Sequence, residues 1–174
     1  KEVKEDVHFA LVDFGTSVER DAKLDAPADE GKLRNSISAT FPTKDKVLSV
    51  QIAVTADYAA YIEFGTRKFA AKYVATLPPD WKSYAATFKG KGGGNLNQFI
   101  QAIMAWVRRK GIGADITKSG NFSSSASSLD KQQQAAYWIA LNILQNGIKP
   151  QPFLYPAVQK HTPELEKAIK KIFE

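Results

Sequence analysis

The chain has 174 residues, is 44% apolar, carries a net charge of +6 and contains no cysteine. That length makes one domain with a substantial core the expectation. The composition excludes disulfides, thiolate metal sites and cysteine nucleophiles, and no stretch approaches the roughly 18–20 apolar residues a membrane span needs. The charge is uneven along the chain. Residues 1–31 hold four basic and nine acidic side chains, residues 32–118 fourteen and five, and residues 119–174 six and four. Such asymmetry points to an electrostatic partner within the fold, in a neighbouring copy or in nucleic acid. The opening Lys1-Glu-Val-Lys-Glu-Asp6 is charged and lacks a signal-peptide pattern.

Val3, Val7, Leu11, Phe14 and Val18 recur at helical spacing and predict an amphipathic helix over 3–24, interrupted by Gly15 and ended by Pro27. Asp29-Glu-Gly31 reads as a turn. Leu33, Ile37, Ala39 and Phe41 fall on one parity, so a half-buried strand is expected over 33–41. Pro42-Thr-Lys-Asp45 reads as a hairpin loop, and the alternation of Leu48, Val50, Ile52 and Val54 predicts a second strand over 47–55. The change of period from about 3.6 to 2 at Pro27 predicts an α+β fold, with the long N-terminal helix packed on an antiparallel sheet.

The run Tyr58-Ala-Ala-Tyr-Ile-Glu-Phe-Gly-Thr66 follows. Asp57 is positioned to cap a short helix, Tyr58, Tyr61 and Ile62 share one helix face, and Gly65 suits the residue that ends it. Residues 69–88 read as an irregular arm with short helical pieces, and Lys89-Gly-Lys-Gly-Gly-Gly94 as a hinge or turn. A helix is expected over 97–110, with Arg108, Arg109 and Lys110 complementing its dipole. The serine-rich residues 119–128 read as mobile. Another helix is expected over 130–146, with Gly147 at its end. Phe153 and Leu154, set between prolines, are expected to anchor a last helix over 162–173 that starts at Thr162-Pro163.

No catalytic, cofactor-binding or metal-binding constellation stands out. His8 and His161 lie in predicted helices without a second ligand at i+4. Lys89-Gly-Lys-Gly-Gly-Gly-Asn95 lacks phosphate-loop spacing, and Gly111-Ile-Gly113 lacks the third glycine of a dinucleotide fingerprint. Glu63 is the lone acid of its run, a placement that suits bonds to backbone N–H groups or an arginine better than proton transfer. Basic residues including Arg67, Lys68, Lys72 and Arg108, interleaved with Phe69, Tyr73, Trp81 and Phe88, leave a basic nucleic-acid-binding module as the alternative.

Three runs occur in order: Ala26-Pro-Ala-Asp-Glu-Gly-Lys-Leu-Arg-Asn-Ser-Ile37, the 58–66 run, and Pro150-Gln-Pro-Phe-Leu-Tyr-Pro-Ala157. Together they resemble the tail-completion, or head–tail joining, proteins of long-tailed bacteriophages and prophages. The resemblance is best over 1–68 and 147–174. It rests on Gly31, Leu33, Ser36, Ile37, Tyr58, Tyr61, Glu63, Phe64, Gly65, Thr66, Pro152, Phe153, Leu154 and Pro156. It implies one tail-completion-like domain over 1–174, with a mostly helical insertion at about 69–147 and a C-terminal helix. It further implies a structural rather than enzymatic role: a ring of copies, six-fold in the virion, at the head-proximal end of the tail. The ring would meet tail-tube and head-connector proteins after assembly in the host cytoplasm, with no membrane partner, no cofactor and only sequence-independent contact with DNA. The acidic Glu5, Asp6, Asp13 and Glu19 are candidates for the contact between neighbouring subunits.

Overall fold

A computed structural model describes residues 2–44, 47–88 and 96–174. The fold is α+β. Two compact units share it, Lys1–Thr66 with Lys149–Glu174, and Arg67–Ile148.

The first unit is built on helix α1, Glu2–Asp25. Its buried stripe includes Val18 and Ala22, and Ala26 follows just past its end. Gly15 lies on the side of α1 that meets the sheet. A Cβ there would stand 2.6 Å from side-chain carbons of both Phe41 and Val50. The glycine that weakens α1 by propensity is therefore what lets the sheet approach it.

After Pro27 the chain does not enter a strand directly. Lys32–Asn35 forms a single helical turn, α2, so the strand expected from residue 33 begins only at Ile37. The turn lets Arg34 reach back to α1. Its Nε donates to the carbonyl of Ala26 at 3.0 Å and its Nη2 to that of Leu24 at 3.4 Å, serving carbonyls that the end of α1 leaves open.

The strands form an antiparallel hairpin in two pieces. β1, Ile37–Thr40, pairs with β4, Gln51–Val54, in the register Ile37↔Val54. β2, Thr43–Lys44, pairs with β3, Val47–Leu48. The loop expected at 42–45 differs, since Thr43 and Lys44 belong to the ladder; Asp45 lies outside the described residues. Pro42 has no N–H for the ladder, and the Ser49 hydroxyl donates to its carbonyl at 3.0 Å across the gap.

α3, Ala59–Phe64, follows. The unit closes with α8, Leu154–Phe173, which packs most extensively along α1. This helix starts eight residues before the expected Thr162 and runs through Pro163. The hydrogen bond Pro163 cannot make would have gone to the carbonyl of Gln159, and both residues are exposed, so water can serve it. Phe153, Leu154 and Ala157 complete the core with Leu33, Ile37, Ala59 and Phe64.

The second unit is helical. α4, Arg67–Val74, and α5, Pro79–Ala86, are the short helical pieces expected within the arm at 69–88. α6, Leu96–Lys110, packs on α7, Ala126–Asn146, around Val107, Ala136 and Ala140. The glycine-rich segment expected to be a hinge at 89–94 lies outside the described residues. The serine-rich segment has defined roles. Ser125 caps α7 by accepting from the Ser128 N–H, and buried Ser128 accepts from the Asp115 N–H at 3.0 Å. Phe122 bridges to Ile116, and its ring lies over Gly111, where a Cβ would stand 2.2 Å away.

Candidate functional site

The three signature runs all lie in the first unit, and two of them meet at Glu63. Its side chain is buried, with 2% exposure. One carboxylate oxygen accepts the N–H groups of Phe153 and Leu154 at 2.8 and 2.9 Å, and the other accepts that of Tyr155 at 3.0 Å. Phe153 is the N-cap of α8 and offers no side-chain cap of its own. Pro156, which follows Tyr155, has no N–H. Glu63 and Pro156 therefore account for every backbone donor that the start of α8 would leave open. The carboxylate also sits where the helix dipole is positive. Burial pushes its proton affinity above the ordinary carboxylate range, while the three N–H groups pull the other way.

Reaching α8 fixes how α3 sits. Its buried residues are Ala59, Glu63 and Phe64. Tyr58 is exposed, and Tyr61 and Ile62 are half-buried, so the face these three share is less buried than the one formed by Ala59, Glu63 and Phe64. Nor is Asp57 a cap: the N-cap is Tyr58, without a side-chain hydrogen bond. Gly65 ends α3 at φ 73°, in the region that favours glycine. Thr66, next to Gly65, and Pro152, next to Phe153, are half-buried, and the Gln151 N–H donates to the Ile62 carbonyl at 2.8 Å.

The remaining signature residues shape the turn before the sheet. Gly31 has φ 74°. Leu33 and Ile37 are buried, and the Ser36 hydroxyl donates to the Leu33 carbonyl at 2.7 Å. Leu33, Ile37, Glu63, Phe64, Phe153 and Leu154 of the signature are buried and help hold the unit together.

A second cluster ties α1 to α8. The Asp21 carboxylate accepts from Lys160 Nζ at 2.6 Å and Arg20 Nε at 3.0 Å, and lies 2.9 Å from His161 Nε2. Those partners, Lys160 foremost, hold Asp21 far below its ordinary proton affinity. His161 is only 6% exposed, and its Nδ1 faces Glu164 at 3.2 Å. Sequence reasoning read His161 as an isolated helical histidine and passed over Asp21. The available signal was a charge at 21 on the stripe continued from Phe14 and Val18.

Of the four acidic interface candidates, Glu5, Asp6 and Asp13 are exposed. Glu19 is engaged within the chain. It accepts from Lys23 at 2.5 Å and from the Ala39 backbone at 2.7 Å, and these contacts lower its proton affinity. The second unit carries an open groove lined by Asp130, Gln133, Gln134, Tyr137 and Trp138. Among the described residues no group of three or more His, Asp or Glu side chains is placed to hold a metal, and no helix is long and apolar enough to cross a membrane.

Residues 1–65 match the model of a family described as "Bacteriophage HK97-gp10, putative tail-component". No curated protein and no solved structure matches the chain. The match spans α1, the hairpin and the whole of α3, including Glu63 and Gly65, so over these residues the chain is similar to that family of phage tail components.

Proposed function

We propose that this protein is a structural subunit of a phage or prophage tail that forms a ring, six-fold in the virion, at the head-proximal end. The ring completes the tail tube and joins it to the head connector. The observation that carries this reading is the construction of the first unit. The residues matched by the tail-component family and the 152–157 signature are joined through one buried carboxylate, that of Glu63. A protein built this way acts through the surfaces that its scaffold displays, and the role is mechanical rather than catalytic. DNA passing through such a ring would be met by charge without sequence reading.

Disrupting the gene in its phage or prophage tests the proposal. The expected result, seen by electron microscopy of the lysate, is separate heads and tails, with joined particles restored when the gene is supplied in trans. Joined, infectious particles in its absence would overturn the reading.

A further inference from the structure

The first helix displays an unusual stripe. Asp6, Phe9 and Asp13 follow at steps of three and four and so share one face. All three are exposed, Phe9 at 68%. Between Glu2 and Asp13 there are four acidic side chains and one basic, Lys4.

The α4–α5 arm has the complementary character. Residues 67–88 hold four basic side chains, Arg67, Lys68, Lys72 and Lys82, against one acidic, Asp80. No side chain of α4 or α5 is fully buried, although the arm is rich in aromatics. Trp81 meets Tyr84 edge to face at 5.8 Å, and Tyr84 meets Phe88 the same way at 5.1 Å. Lys68 Nζ lies 5.5 Å from the Phe69 ring centre. Lys68 also donates to Asn146 Oδ1 at 2.5 Å but remains exposed, and an arm that carries both aromatic rings and cations suits an exposed phenyl ring flanked by carboxylates.

We infer that the stripe of Asp6, Phe9 and Asp13 docks on the α4–α5 arm of a second copy of this chain. The inference rests on the ring reading and names the surfaces that make it. A chain carrying both a surface and its complement associates head to tail, as a closed ring requires. Nucleic acid would use the cations of the arm but would be repelled by the acidic stripe and would leave Phe9 in water. A second copy satisfies both halves at once.

Reciprocal charge reversal, read by sedimentation velocity over a concentration series, tests the inference. Asp6→Lys with Asp13→Lys makes both surfaces basic; Lys68→Glu with Lys72→Glu makes both acidic. Each variant alone should self-associate at least about tenfold more weakly than the parent. An equimolar mixture should regain parental association, because every α1 then finds an arm of opposite charge. Pairing within one chain could not be restored by mixing. Phe9→Ala should also weaken association at least about tenfold. All five positions are exposed, and circular dichroism checks that the variants fold. Association unchanged by either reversal would overturn the docking surface and leave the ring reading standing. A parent that stays monomeric at every concentration would overturn both. Loss of binding to a single-stranded oligothymidylate by the Lys68→Glu, Lys72→Glu variant, with self-association intact, would assign the arm to nucleic acid and overturn the inference.

Discussion

The Glu63 carboxylate accepts the backbone N–H of Leu154 at 2.9 Å across a separation of 91 residues. Together with its bonds to Phe153 and Tyr155, this contact makes one side chain the cap of a helix far away in sequence. Glu63→Ala would strand three donors at a buried helix start. We expect a loss of about 3–5 kcal/mol, as a buried donor left unmade costs roughly 1–3 kcal/mol and a lost cap roughly 0.5–2 kcal/mol. Urea unfolding checks this. A loss below about 1 kcal/mol would mean that water or another side chain serves the donors.

Replacing Phe153 by Ala should cost about 3–5 kcal/mol. The ring is 1% exposed and is held by the N–H bond to Glu63 on its own backbone. Thermal unfolding within a degree or two of the parent would contradict this packing.

Gly15→Ala sets two effects against each other. Helix propensity gains roughly 1 kcal/mol. Against it, the new methyl would come within 2.6 Å of both Phe41 and Val50, and overpacking typically costs about 1–3 kcal/mol. The expected outcome is net destabilisation. Pairing Gly15→Ala with Val50→Ala should recover part of it, which a double-mutant cycle in denaturant would measure.

Two carboxylates should give pH responses of opposite sign. Asp21, whose ordinary value is 3.8, is lowered by Lys160, His161 and Arg20. Below that value the unfolded chain binds more protons, so stability falls as the pH falls. Glu63, ordinarily 4.5, is raised by burial. Above that value the folded chain holds more protons, so its contribution declines as the pH rises toward its folded value. Asp21→Asn should flatten the acid limb of a stability–pH profile, and Glu63→Gln the decline above about 4.5. Parallel profiles for parent and variants would show that neither group is coupled to folding in this way.

Residues 67–148 are proposed to be an insertion into a domain that does not need them. Ile62 and Gln151 already share a backbone hydrogen bond of 2.8 Å, so the chain on either side is held close without them. Replacing Arg67–Ile148 by a short Gly/Ser linker should leave a cooperatively unfolding, helix-rich protein. A molten product lacking near-ultraviolet circular dichroism would show that the first unit depends on the second.

The sequence by itself determined what depends on near neighbours. The period of the apolar residues located α1, and the alternation over 47–55 located the returning strand, because side-chain direction repeats every 3.6 residues in a helix and every two in a strand. Gly65 announced the end of α3 by its backbone freedom. The three runs by themselves resemble those of phage tail-completion proteins. The tertiary structure decided what depends on contacts distant in sequence. The early start of α8 could not be read locally, because residues 153–156 carry no capping side chain and their cap arrives from Glu63. The turn at 32–35 could not be read from alternation, because it is needed for Arg34 to reach back to α1. His161 seemed solitary because its partner Asp21 lies 140 residues away. Glu19 looked like a free surface charge until the fold placed the Ala39 N–H beside it. Local propensity chooses an element, but its ends and its polar partners are set by which groups would otherwise be buried without hydrogen bonds.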